Sequence, residues 1–144
     1  MSKDKVAAYT METVTAVRNN DIVKVRELYA SGKNLECCNR FGETIFHFAC
    51  RRGFTEIVEF FMTTANVAHR VVCNSGRTPM HDACWTGTPN FECIRQVLQS
   101  TPDLLLISDK RGFSPLAYVP RDTLGEWSTF LEESRDILVP KILR

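Results

Sequence analysis

GRTPMHDACWTG fills residues 76–87, and GETIFHFACRRG fills residues 42–53. The two stretches lie 34 residues apart and agree at six positions: Gly, Thr, His, Ala, Cys and Gly. Agreement in residue type, order and spacing marks an internal repeat, a unit that buries its apolar face only by stacking on a copy of itself. A helical pattern follows each stretch, TEIVEFFM at 55–62 and FECIRQVL at 91–98. Upstream, Ala16, Asn20 and Val25 precede Ala49, Gly53 and Val58 by 33 residues each. Downstream, DKRGFSPL at 109–116 restarts the pattern, with Gly112 lying 36 residues after Gly76. The chain therefore reads as four units, the outer two degraded.

Each repeated slot has a physical task. Gly42, Gly76 and Gly112 fall where a tight turn demands a positive φ. Thr44, Thr78 and Ser114 are placed to cap the next helix, and Pro79 and Pro115 to take its first position, where a missing N–H costs nothing. Gly53 and Gly87 are expected to end that helix through a left-handed cap. The second helix of each unit is apolar on one face, as at Ile57, Val58, Phe60, Phe61 and Met62, with Glu56 and Glu59 between. A turn followed by two antiparallel helices results. In unit three, TPNFEC carries two extra residues into the second helix, and a bulged corner is expected there. Pro120 is expected to cut short the first helix of unit four, and TLGE at 123–126 reads as a capping box for another helix. The apolar tail RDILVPKILR is expected to fold back on that last helix; docking onto another chain is the alternative.

The pattern resembles the ankyrin repeat, a unit of about 33 residues with a Thr-Pro-Leu-His-x-Ala core. TPMHDA at 78–83 is the nearest match, TIFHFA at 44–49 a looser one, and SPLAYV at 114–119 lacks the His and the Ala. The resemblance spans roughly residues 12–134 and implies an all-α solenoid of stacked helix-turn-helix units with β-turn or hairpin-like loops. It divides a single domain, 1–144, into approximate repeats 5–37, 38–71, 72–107 and 108–136 and a tail 137–144. It also implies that His47 and His81 are structural, their imidazoles bonding backbone in an adjoining turn. Turn tips and the ends of first helices should line one concave groove.

Composition sets the class. A chain of 144 residues, 44% hydrophobic, 24% charged and with net charge +1, suits one globular domain and no global attraction to nucleic acid or membrane. MSKDKVAAYT has no apolar core of a secretory signal, and no window approaches the ~18 apolar residues of a membrane span. A cytoplasmic protein is expected, with a nuclear one as the alternative. Six cysteines without any Cys-x-x-Cys pair read as reduced thiols rather than a zinc site. Cys50 and Cys84 fill a small-residue slot, Cys73 stands where Asp109 stands in unit four, and the pair Cys37–Cys38 reads as exposed. No phosphate loop, paired carboxylates or activated nucleophile points to catalysis, so no enzyme, metal or cofactor is expected.

The surface remains. Carried over through the resemblance, the groove slots hold Arg18, Arg40, Phe41, Arg51, Arg52, Arg77, Trp85, Lys110, Arg111 and Phe113, with Glu43 their one carboxylate. Glu27, Glu56, Glu59, Glu92, Glu126, Glu132 and Glu133 lie elsewhere, many on second helices. Arg fits carboxylate and phosphate in two-pronged fashion, and Arg and Trp dominate binding hot spots. The expected partner of this monomeric domain is an acidic or phosphorylated protein segment. Arg51, Arg52, Arg77 and Trp85 would form the centre of its site, and Arg40, Phe41, Lys110, Arg111 and Phe113 its rim. Nucleic-acid binding through the same groove and a cysteine-based redox or metal sensor are the alternatives.

Overall fold

A computed structural model describes residues 3–142, with side chains through residue 138. Among these residues the regular structure is helical: α1 (Lys3–Ala7), α2 (Met11–Arg18), α3 (Ile22–Ala30), α4 (Ile45–Arg52), α5 (Thr55–Met62), α6 (Pro79–Trp85), α7 (Phe91–Ser100), α8 (Leu124–Glu133) and α9 (Arg135–Ile142). The pairs α2–α3, α4–α5 and α6–α7 stack side by side, first helix on first helix and second on second. The expected all-α solenoid is the observed fold. Cys38 and Thr44 form one isolated antiparallel bridge at the base of a turn, a trace of the hairpin-like loops.

Local chemistry sets the helix starts. The hydroxyls of Thr44 and Thr78 accept from backbone amides in the first turns of α4 and α6, and Pro79 opens α6. Thr10, which stands 34 residues before Thr44, caps α2 through the Thr13 amide. Helix α1 was not anticipated; the carbonyl of Lys5 accepts from the Cys38 amide at 3.1 Å and ties it to the first turn.

The glycine expectations divide. Gly42, Gly76 and Gly112 take φ of +77°, +78° and +86°, as the turns demand. Gly53 ends α4 in the left-handed region at φ +68°, and a Cβ there would meet Asn90 Cβ at 2.5 Å. Asn20, its counterpart in the first unit, takes φ +54°. Gly87 is different. Helix α6 stops one residue earlier, at Thr86 with extended backbone, because the two extra residues carry the chain outward before Asn90 caps α7. Gly87 makes no left-handed cap and faces open space.

The C-terminal end departs furthest from the repeat. Pro115–Tyr118 forms a short 3-10 turn that stops before Pro120, as the proline implies. Helix α8 begins at Leu124, but Thr123 gives no side-chain cap; its hydroxyl donates to the Pro120 carbonyl instead, so the expected capping box is absent. Trp127 and Phe130 of α8 enclose Phe91 of α7, with ring centroids 5.1 and 4.9 Å away. Helix α9 packs back against α7, α8 and the turn Pro102–Leu106, with Leu138 buried. The fold-back expected of the tail holds for its described part; residues 143 and 144 lie outside the described residues. The core is one continuous cluster from Ala16 and Val17 to Phe130 and Leu138.

Two glycines of similar sequence context should respond oppositely to substitution. Gly53→Ala meets both an unfavourable φ and the Asn90 side chain, and it should lower the urea unfolding free energy by about 1–3 kcal/mol. Gly87→Ala should stay within about 0.5 kcal/mol of the parent.

Candidate interaction surface

Two buried imidazoles hold successive units in phase. The Arg77 carbonyl can only accept, so His47 Nε2 donates to it at 2.8 Å, and His47 Nδ1 accepts from the Thr44 amide at 3.1 Å. His81 repeats the arrangement one unit on: Nε2 to the Phe113 carbonyl at 3.0 Å and Nδ1 from the Thr78 amide at 3.0 Å. Burial holds both rings below the ordinary imidazole value of 6.5, against the opposing effect of the bonds to those carbonyls. The structural reading of these histidines follows directly from this geometry.

The turn tips stack by backbone bonds. The Asn74 amide donates to the Phe41 carbonyl at 2.8 Å, and the Lys110 amide to the Ser75 carbonyl at 3.0 Å. A Cβ on Gly76 would approach the Lys110 nitrogen to 2.9 Å, so the tips close up only because that atom is missing. Within the outer turns, the Asn39 and Asp109 side chains each accept from amides two and four residues ahead. The Tyr118 hydroxyl also donates to Asp109 and, with those two amides, holds its carboxyl below the usual carboxylate range. Cys73 offers no such acceptor in the middle turn.

Along this row Arg40, Phe41, Lys110, Arg111 and Phe113 are exposed, with Phe41 64% and Phe113 42% accessible. The Arg111 guanidinium lies over the Phe113 ring, 5.2 Å from its centroid. Between the first helices and the last turn lies a cleft of about 230 Å³, lined by Glu43, Arg51, Arg77, His81, Asp82, Trp85 and Tyr118. Arg51, Arg77 and Trp85 meet there. Arg52 does not; it sits over Phe48 and Phe54 at the end of α4, 5.6 Å from the nearer ring centroid. Arg18 lies apart, beside a small hollow lined by Tyr9, Val14, Val17, Ile45 and Phe48.

The cleft, expected as the centre of a basic groove, is not purely basic. Arg51 Nη2 donates to Asp82 Oδ2 at 2.8 Å and reaches Glu43 Oε2 at 3.4 Å. Two carboxylates therefore balance the two guanidiniums of the cleft, and Arg51 is held as a structural brace between α4 and α6. Asp82 escaped the sequence reading, although a signal existed. It follows Arg51 by 31 residues, one repeat less about one helical turn, which aligns the pair on neighbouring helices. The ion pairs among the described residues involve Lys24, Arg51, Arg70 and Arg135, leaving Arg18, Arg40, Arg52, Arg77, Lys110 and Arg111 outside any ion pair.

The thiols give a further correction. Cys37 and Cys38, expected at the surface, are buried, as are the other four. Burial pushes the Cys37 thiol up to about 12 and raises Cys84 well above its ordinary value, so neither is a ready thiolate. Among the described residues no group of three or more His, Cys, Asp or Glu side chains is arranged to hold a metal ion. No described helix is long and apolar enough to cross a membrane.

Stacked turn–helix–helix units of this kind define a repeat protein, one that offers an extended surface rather than an enclosed pocket. Residues 14–118 match a family model described as ankyrin repeats in three copies, and the chain belongs to the ankyrin repeat family, a non-catalytic fold that mediates protein–protein interaction. Over 83 residues, 58% of the chain, it is 32% identical to the SMC5-SMC6 complex localization factor protein 1 of Homo sapiens. Over 100 residues, 69% of the chain, it is 30% identical to the inactive serine/threonine-protein kinase TEX14 of Bos taurus. The matched regions make up only 8% and 6% of those relatives.

Protonation of the buried imidazoles should loosen the stack. Their folded values lie below 6.5, so the unfolded chain binds more protons in the window just beneath it. Their stabilisation is full above pH 6.5 and is lost as pH falls through the lowered folded values. Urea unfolding free energy should drop from pH 7 towards about 5, above the range where carboxylates titrate. A His47→Gln, His81→Gln double variant should show a shallower slope; an unchanged slope would refute the assignment. Arg51→Ala, which strands the buried Asp82 carboxylate, should cost about 1–3 kcal/mol in the same assay.

Proposed function

We propose that this domain captures an acidic or phosphorylated segment of another protein along its concave face. Its contacts are the exposed cations Arg40, Lys110 and Arg111 and the aromatics Phe41, Phe113 and Trp85. The observation that carries the reading is the combination of those three cations, in no ion pair among the described residues, with accessible rings on one row of stacked turns. Cations outside ion pairs have no internal carboxylate to give up, so a ligand anion meets them without displacing a partner. Arg77 and the exposed indole of Trp85 extend the surface into the cleft. Arg51 belongs to the scaffold of the site, Arg52 flanks it at the end of α4, and Arg18 lies apart.

A preformed groove loses little conformational freedom on binding, and exposed cations raise the rate at which acidic chains encounter it. The name of one relative describes it as a localization factor of a complex, which is in keeping with recruitment by contact rather than with chemistry on a ligand. By the same reasoning the domain brings its partner to a place and leaves it covalently unchanged.

The indoles supply a direct readout. Trp85 is 59% exposed and Trp127 2% exposed, so acrylamide quenching of tryptophan emission reports chiefly on Trp85. Glutamate-rich and phosphoserine peptides should protect that emission, with an apparent Kd that rises steeply with salt. The double change Arg40→Glu, Arg111→Glu should weaken binding at least about tenfold with the unfolding midpoint unchanged. Full-strength binding in that variant would move the site elsewhere. Tighter binding of a single-stranded oligonucleotide than of either peptide would favour nucleic acid instead.

A further inference from the structure

The chain contains four Ser/Thr-Pro dipeptides: Thr78-Pro79, Thr88-Pro89, Thr101-Pro102 and Ser114-Pro115. Three of them open helical turns. Thr78 caps α6 and is 1% exposed. Thr101 is buried, precedes the turn Pro102–Leu106, and shares a hydrogen bond with His69 Nε2. Ser114 is half-buried before the turn Pro115–Tyr118. Thr88 is unlike these. It is exposed in the middle of the segment 86–90, and its hydroxyl has only a 3.4 Å contact with Thr86 Oγ1.

The backbone around Thr88 suits a kinase cleft. Thr86 and Asn90, at either end of the segment, are extended, with φ/ψ of −62°/143° and −106°/98°. Pro89 biases Thr88 to the same region. Gly87 adds no bulk and faces open space. This corner exists because unit three has two residues more than unit two, so the array extrudes a Thr-Pro pair that a regular unit would lack.

We propose that Thr88 is a phosphorylation site for a proline-directed serine/threonine kinase, and that the phosphate turns acidic partners away from the groove. In the transfer, Thr88 Oγ forms a bond to the γ-phosphorus of ATP, the bond from that phosphorus to the β-phosphate oxygen breaks, and ADP leaves. The hydroxyl proton passes to the kinase's base. The product adds about −1.5 to −2 charges at pH 7, enough to reverse the sign of a chain whose formal charge is +1. The phosphate stands three residues beyond Trp85, which lines the cleft. Asn90 Nδ2 also ties this corner to the Gly53 carbonyl at 2.7 Å and Thr55 Oγ1 at 3.1 Å, next to Arg52. The added charge therefore opposes an incoming acidic segment and competes for a flanking guanidinium. The second half of the proposal rests on the acidic-partner reading; the site itself does not.

The folded chain is incubated with ATP and a proline-directed kinase, the phosphate is located by tandem mass spectrometry, and binding of a glutamate-rich peptide is measured before and after. Phosphate should appear on Thr88 and not on Thr78, Thr101 or Ser114. It should vanish in Thr88→Ala and Pro89→Ala, and the peptide should bind at least about threefold more weakly to the modified protein. No phosphate on Thr88, where a synthetic peptide of residues 85–92 is modified under the same conditions, overturns the site. So does modification of the three buried or half-buried residues in its place. Phosphate on Thr88 with unchanged peptide affinity overturns the charge effect. A peptide that fails to bind even the unmodified chain overturns the acidic-partner reading, while the mass spectrum still decides the site.

Discussion

The phase of the second, third and fourth units rests on a ring nitrogen meeting a carbonyl about one repeat away. His47 and His81 spend one nitrogen on the cap of their own helix and the other on the turn of the next unit. A single neutral imidazole thereby fixes two distances at once: where a helix begins, and how far away its neighbour's turn lies. Such bonds are buried, so each lost partner leaves a polar group without water, and the stack resists slipping by a residue. The turn-to-turn amide bonds and the close approach at Gly76 complete the lock. With phase held in this way, side chains at equivalent positions form rows, and a surface can be composed along them.

The rows were legible in the sequence because each depends on local chemistry repeated at a fixed interval. A Thr that caps, a Pro that opens and a Gly in a positive-φ turn behave alike in every unit that keeps its length. Gly87 shows where that inference stops: two inserted residues move the helix end to Thr86, and a matching letter no longer means a matching conformation. The absent cap at Thr123 is a similar case, since the preceding 3-10 turn gives its hydroxyl a nearer acceptor at Pro120. Cys37 and Cys38 read as surface residues beside a turn, yet Cys37 lies in the core cluster and Cys38 is buried with its amide bonded to the Lys5 carbonyl of α1, a long-range effect that no local pattern carries.

The proposed groove is legible in the sequence as a set of positions and not as a field. Counting charges by slot gave a basic centre, because Asp82 lies on a face that the core motif treats as interior. Asp82 is indeed buried, and it draws Arg51 into the scaffold. The consequence is a division of labour. The cleft is nearly balanced in charge and half apolar in character at Trp85 and Tyr118, suited to shape-dependent contact, whereas the turn row carries the exposed cations. Rim charges act mainly on encounter and salt sensitivity, and a packed centre acts mainly on lifetime. An Arg51 variant would therefore confuse stability with affinity, which the exposed turn cations do not.

The repeat pattern breaks down in the fourth unit, and the way it does so limits the proposed groove on that side. In the last unit Ala117 stands where the imidazole would be, so no ring reaches onward to a further turn. Tyr118 turns back to bond Asp109 within its own unit and packs edge-on against His81 at 5.6 Å, receiving the stack instead of extending it. Shortened to a 3-10 turn before Pro120, the first helix of this unit leaves no groove-facing end beyond Tyr118. Helices α8 and α9 then cover the exposed side of α7 with Trp127, Phe130 and Leu138. A solenoid interface without such a cover would remain an apolar face open to further stacking. Loss of the histidine and gain of the covering helices are thus two halves of one device. Together they close the proposed concave surface at this end, just past the third turn, where Lys110, Arg111 and Phe113 are exposed.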